Sequence, residues 1–220
     1  MRTYVARGEA PLAPETRQVV VATVNGRAYY DLLGMLRSLG VEFVSRFPWA
    51  VKPDETLLLL TTRSELPPDY AGDFILYEEL TGDWLRDAVA ILGRLLKKRK
   101  DTLVVGLDPG ENTGVAFVYR GHPVVTQSFR NMDEVLTIVG RALALGVKEL
   151  LVRIGTGDPS RAWFLARRVA DMSGAGVKIE MVDEKGTTKL AIQAGSDHGR
   201  RDAYSALMIA RKKGRAFAQG

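Results

Sequence analysis

Four acidic side chains stand where a chain would put them if they were to share a divalent cation. Asp108 closes the apolar run LVVGL at 103–107, Asp183 and Glu184 close VKIEMV at 177–182, and Asp202 lies in the first or second turn of a segment that turns helical near His198 or Gly199. Cutting a phosphodiester at neutral pH requires charge to be neutralised on a non-bridging oxygen and a water to be made nucleophilic. Two divalent ions roughly 3.5–4 Å apart can do both when carboxylates converge on them from rigid elements. Each acid also has a plain structural reading. Asp-Pro-Gly is a common turn sequence, Asp183 and Glu184 can be loop acids, and an acid near a helix N-terminus gains ~0.3–1 kcal/mol from the dipole.

What singles the acids out is the order of the elements around them. After the charged run KKRKD at 97–101 come the strand 103–107, the turn DPGENTG, a strand 115–119 (VAFVY), the turn RGHP and a strand 124–129 (VVTQSF). Such a meander is antiparallel. A helix over about 132–145 stops at Gly146, a strand 149–154 (ELLVRI) follows, then a helix over about 159–173, the strand 177–182 and a final helix. Together these predict a mixed five-stranded sheet with helices on both faces, the topology of ribonuclease H-like domains. With the first and last strands near the sheet centre, Asp108, Glu184 and Asp202 meet at one edge.

Residues 1–100 read as a separate small α/β domain, divided from residues 101–220 by the charged run, which few core contacts can cross. A strand at 18–24 (QVVVATV), a helix capped by Asn25 and stopped by Gly40, and a strand at 41–45 form a parallel βαβ unit. Apolar runs at 56–61 (TLLLLT) and 74–77 (FILY) follow, separated by a loop with paired prolines, and a helix over about 83–98 closes the domain. It carries no glycine-rich phosphate loop and no cluster of acids.

At 220 residues and 46% apolar content the chain can bury a proper core. It has no cysteine, which excludes disulfides, thiolate zinc and cysteine nucleophiles, and points to a hard, oxygen-bound metal such as Mg2+ or Mn2+. No apolar stretch is long enough for a membrane span and the N-terminus lacks a secretory core, so a cytoplasmic location is expected. A cysteine-free chain rich in ion-pairing residues fits a thermophile. The net charge is +5, and residues 101–220 carry 17 basic against 13 acidic side chains, with Arg200, Arg201, Arg211, Lys212, Lys213 and Arg215 bunched near the end. That patch would attract a polyanion by counterion release.

GLDPGENTGVAF resembles the first-strand motif of RuvC-type Holliday junction resolvases, in which an aspartate before a Pro-Gly turn is a metal ligand. VKIEMVDEKGTT resembles the penultimate motif of YqgF-type nucleases, and HGRRDAYSALMIA the final helix of both families. The resemblance covers roughly residues 102–215. It implies a metal-dependent endonuclease with Asp108, Glu184 and Asp202 as ligands, and Lys185 or Thr187 near the substrate phosphate. RuvC resolvases place their second acid at the end of the fourth strand, where only Asp158 could serve here, so the YqgF-like placement at Glu184 is followed. The acid or histidine that resolvases tend to carry three residues before the helical aspartate is replaced by Gly199. His198, four residues before Asp202 and on the same helical face, becomes a secondary candidate with Asp183.

Gly110, Thr113 and Gly114 would form the substrate side of the first turn, its glycines taking positive φ and admitting a phosphate to backbone amides. Arg200 and Arg201 would contact nucleic acid. Arg161, Arg167 and Arg168 could do so too, but read mainly as a solvated helix face, and at least one of Trp163 and Phe164 is expected in the core. The expected partner is a DNA junction or structured RNA, with a homodimer to match a two-fold junction. Two other readings stay open. One is a catalytically inactive nucleic-acid-binding or assembly module of the same fold. The other is an actin-like ATP-binding protein, which would need a second such domain that residues 1–100 do not supply.

Overall fold

A computed structural model describes residues 17–173, 176–184 and 198–218, with side chains from 201 onward in the last segment. These fall into two compact units divided between Arg99 and Lys100. The first is built on a parallel four-stranded sheet. Its elements are β1 (Gln18–Val21), α1 (Gly26–Ser38), β2 (Val44–Ser45), β3 (Thr56–Thr61), β4 (Phe74–Leu76) and α2 (Trp84–Leu95). The strand order is β2-β1-β3-β4.

Asn25 caps α1 by accepting the N–H groups of Arg27 and Ala28, and Asp83 caps α2 in the same way through Leu85 and Arg86. Both flanking strands are shorter than the apolar pattern suggests. Gly40 takes φ 64°, and the N–H of Val41 is spent on Leu36 O at 3.0 Å to close the helix, so pairing in β2 begins only at Val44. After β1 the chain turns into the cap, where Val24 N–H donates to Glu65 Oε1 at 2.6 Å.

The second unit holds a mixed six-stranded sheet rather than the expected five. The meander is β5 (Thr102–Asp108), β6 (Thr113–Tyr119) and β7 (His122–Phe129), followed by α3 (Met132–Leu143), β8 (Glu149–Gly155), α4 (Pro159–Ser173), β9 (Lys178–Val182), α5 (His198–Arg211) and β10 (Arg215–Ala216). The order is β10-β9-β8-β5-β6-β7, with β5, β8 and β9 parallel and the meander antiparallel. The extra strand, β10, pairs antiparallel with β9 through Arg215 and Ala216. The hairpin between β6 and β7 turns on Arg120 and Gly121, both at positive φ, so His122 opens β7 instead of lying in the turn.

Helix α5 packs across β5, β6 and β7, with Ala206, Leu207 and Ala210 against Ala116 and Val118. Leu103, Val105 and Leu107 point the other way from Val104 and Gly106 and are fully buried, so α3 and α4, which pack on each other, close that second face. Among the described residues no helix is long and apolar enough to cross a membrane.

Candidate functional site

Asp108 is the last residue of β5 and pairs in register with Gly114 of β6. The two glycines on this face, Gly106 and Gly114, let α5 come down onto the sheet. A Cβ at Gly106 would lie 2.2 Å from the backbone oxygen of Ala206, and one at Gly114 would lie 2.1 Å from the backbone oxygen of Asp202. The helix backbone therefore rests on β5 and β6, which brings the Asp202 turn beside Asp108. Ser128 of β7 donates its hydroxyl to Asp202 Oδ2 at 3.3 Å, and Ser205, one turn along α5, hydrogen-bonds to Asp108.

Glu184 arrives from the other side. Thr156 N–H donates to Val182 O at 3.0 Å, binding the loop after β8 to the end of β9, and Gly157 N–H donates to Glu184 Oε1 at 2.8 Å. A Cβ at Gly155 would fall 2.2 Å from that same oxygen, and one at Gly157 would fall 2.7 Å from Oε2. Two glycines thus make room for one carboxylate.

The result is a partly buried acid facing two others. Burial first, then the Glu184 carboxylate, then that of Asp202 push the Asp108 carboxyl up to about 7, against a smaller pull from the Ser205 hydroxyl. At the opposite end of the sheet the logic is reversed. Glu149, at the start of β8, is held down to about 2 by Lys100 at 2.6 Å, Lys178 at 2.8 Å and the Thr102 hydroxyl. At one edge lysines hold a carboxylate ionised; at the other, neighbouring carboxylates oppose the ionisation of Asp108. Among the described residues no three Asp, Glu or His side chains are drawn tightly enough to count as a ready-made ligand group. The three acids share a field without forming a closed cage.

No protein-family model matches this chain. No curated protein matches it either. Among solved structures, the crystal structure of Aa-Ago with externally bound siRNA is similar at 12% identity and a TM-score of 0.27. The likeness covers 79% of this chain and 36% of that one, and at this level it carries no argument. Fold and function rest on the chain itself.

The remaining sequence candidates divide clearly. Asp183 is exposed, its backbone oxygen accepts Lys212 Nζ, and it is not among the charges that shift Asp108. Asp158 is engaged at the start of α4, where it accepts Arg161 N–H at 3.0 Å and faces Arg161 Nε at 3.4 Å. Thr113 is 3% exposed within β6 and Gly114 lies under α5, so neither is open to a substrate. Neither Gly110 nor Gly114 has positive φ; Gly114 is needed for the close helix approach, and Gly110 remains the turn glycine. Lys185 and Thr187 lie outside the described residues, as do the side chains of His198 and Arg200. Arg201 is partly exposed on α5.

Sequence reasoning missed Ser128, Ser205, Gly106, Gly155 and Gly157. Only Ser205 left a usable signal, since it stands three residues after Asp202 on one helical face. Replacing Ser205 by alanine removes a hydrogen bond that favours the ionised form of Asp108. The expected outcome is about 10-fold weaker Mn2+ binding by calorimetry, with the pH midpoint of binding moved upward. Unchanged affinity would show that the hydroxyl does not orient the carboxylate.

Proposed function

We propose that residues 100–218 form a metal-dependent nuclease of the ribonuclease H-like type, related to RuvC- and YqgF-type enzymes, that hydrolyses phosphodiester bonds in structured nucleic acid such as a DNA junction. The observation that carries this reading is the convergence of three carboxylates from β5, the end of β9 and α5 on a site where burial first, and then the charges of Glu184 and Asp202, push Asp108 up to about 7. A protein gains nothing in stability from such an arrangement, so its use is sought in what it binds. The order β9-β8-β5-β6-β7, with its antiparallel meander and parallel pair, supports the same fold assignment.

The donor set is all oxygen, which suits Mg2+ or Mn2+. Bound by Asp108, Glu184 and Asp202, the metal would neutralise charge on a phosphate oxygen and acidify water. The chain's own contribution is to hold the ligands. Gly157 N–H fixes Glu184, the Ser128 and Ser205 hydroxyls fix Asp202 and Asp108, and the Gly106 and Gly114 contacts fix the height of α5. On this reading Gly110, in the turn after Asp108, would border the phosphate, and Arg201, partly exposed on α5 next to Asp202, would meet the nucleic-acid backbone.

The test incubates labelled four-way junction, duplex DNA, structured RNA and single strands with Mg2+ or Mn2+, beside Glu184→Gln and Asp202→Asn. Cleavage of at least one substrate, lowered about 10²–10³-fold in each variant, is expected. Cutting that persists at the wild-type rate in either variant would remove that residue from the site. A second reading, an inactive nucleic-acid-binding module, draws on the looseness of the carboxylate group and would be selected by metal-independent binding without any cleavage.

A further inference from the structure

The helix that follows the Glu184-binding loop presents an unusual outer face. Helix α4 starts at Pro159, two residues after Gly157, and buries Ala162, Leu165, Ala166 and Val169 at helical spacing. That stripe forces both of its aromatic residues outward. Trp163 is 52% exposed and Phe164 is 51% exposed, against the sequence expectation that at least one would enter the core. Trp163 is steadied edge-on by Phe217, with ring centroids 5.1 Å apart. Arginines stand at helical spacing around them: Arg161 three residues before Phe164, Arg167 four after Trp163 and Arg168 four after Phe164. Arg161 faces Asp158, whereas Arg167 and Arg168 have no ion-pair partner among the described residues.

We infer that this face of α4 is a stacking platform for a nucleic-acid strand leading to or from the carboxylate site. Half-exposed aromatic rings offer unpaired bases a sequence-tolerant π surface, and arginines beside them meet the phosphates. Along a helix, Trp163 and Phe164 lie only about 6–8 Å beyond Pro159, roughly two base steps at ~3.4 Å each. A second copy of this chain fits the face less well, because a two-fold contact would set the three arginines against their own copies. The inference rests on the nucleic-acid substrate of the proposed function, but not on catalysis.

Binding is therefore read with EDTA present, so that nothing is cut. The full-length protein is titrated into a fluorescein-labelled single-stranded oligonucleotide and the matching duplex, and anisotropy gives Kd across a series of salt concentrations. Phe164→Ala is expected to raise Kd for the single strand about 10-fold, the worth of one lost base stack. The double variant Arg167→Gln with Arg168→Gln should reduce the steepness of the log Kd against log salt plot by about 1.4, the share of two phosphate contacts. All three side chains are exposed, and thermal melts check that each variant folds like the wild type. Unchanged Kd and slope in both variants overturn the inference, as does a wild-type protein that binds neither oligonucleotide. So does a Phe164→Ala variant that loses self-association in sedimentation while keeping its nucleic-acid affinity. Weakened binding in the variants of a wild-type protein that cuts nothing with Mn2+ upholds the platform and removes the nuclease reading alone.

Discussion

Asp108→Asn is expected to raise the melting temperature of the metal-free protein at pH 8 by about 5–10 °C while abolishing cleavage. The two effects have one cause. In the unfolded chain this carboxyl loses its proton near 3.9, whereas in the fold it holds it until about 7, because ionisation there is opposed by burial and by Glu184 and Asp202. Between those values the folded state binds the proton that the unfolded state has released. Raising the pH through that window therefore favours unfolding, and above about 7 the penalty is present in full. A shift of this size corresponds to a few kcal/mol. Asparagine does not titrate and removes the like charge. The measurement is a pair of melting curves in EDTA from pH 4 to 8. The variant should gain on the wild type steadily as pH rises, and Mn2+ should close the gap by stabilising only the wild type. Curves that stay parallel would show that Asp108 carries no such strain. Carboxylates held low in the fold, such as Glu149, Asp101 and Glu180, act in the opposite sense and at lower pH. They are common to both proteins and cancel in the difference.

The candidate acids were legible because Asp108 ends and Glu184 closely follows a strand with an unambiguous apolar pattern, while Asp202 lies in the first turns of the last helix. LVVGL, VAFVY and VVTQSF are bounded by turn sequences, so the meander and the position of Asp108 follow from the chain itself. What holds the acids was not legible. That Ser128 meets Asp202 depends on which face of β7 turns toward α5, and that Gly155 and Gly157 clear space for Glu184 depends on how two separate loops are clasped by Thr156. Neither relation has a local signature. The same holds for β10, whose two residues show no alternation and whose pairing relies on Gly214 lying against Met181. Trp163 and Phe164 were misjudged for a related reason: a helix with more apolar residues than its buried stripe can accept gives no sign of which ones are left outside.

The contact that matters most for the geometry is the one between α5 and the sheet, and Gly114→Ala is expected to break it. The added methyl would sit 2.1 Å from the backbone oxygen of Asp202 and 2.6 Å from its carbonyl carbon. A side chain can rotate away from such a clash, but a helix backbone cannot, so α5 has to lift or tilt. Gly106→Ala would meet the same helix one turn later, 2.2 Å from the oxygen of Ala206 and 2.8 Å from the nitrogen of Ala210. Each substitution is expected to cost about 3 kcal/mol, the upper part of the range for overpacking, because the whole helix must move to relieve it. The consequences for the site should differ. Gly114 lies directly under Asp202, so a lift of about 1 Å there separates that carboxylate from Asp108 and should lower cleavage about 10²-fold even where the protein remains folded. Gly106 lies under Ala206, one turn away, so its variant should lose stability more than chemistry. Gly34→Ala supplies the control, since its methyl would meet nothing within 4 Å among the described residues. Urea melts rank the three for stability, and Mn2+ calorimetry on the folded fraction ranks them for the site. Equal losses of metal affinity at Gly106 and Gly114 would mean that α5 tilts as one rigid body, and that the height of the helix, rather than the local seat of Asp202, governs how the carboxylates meet.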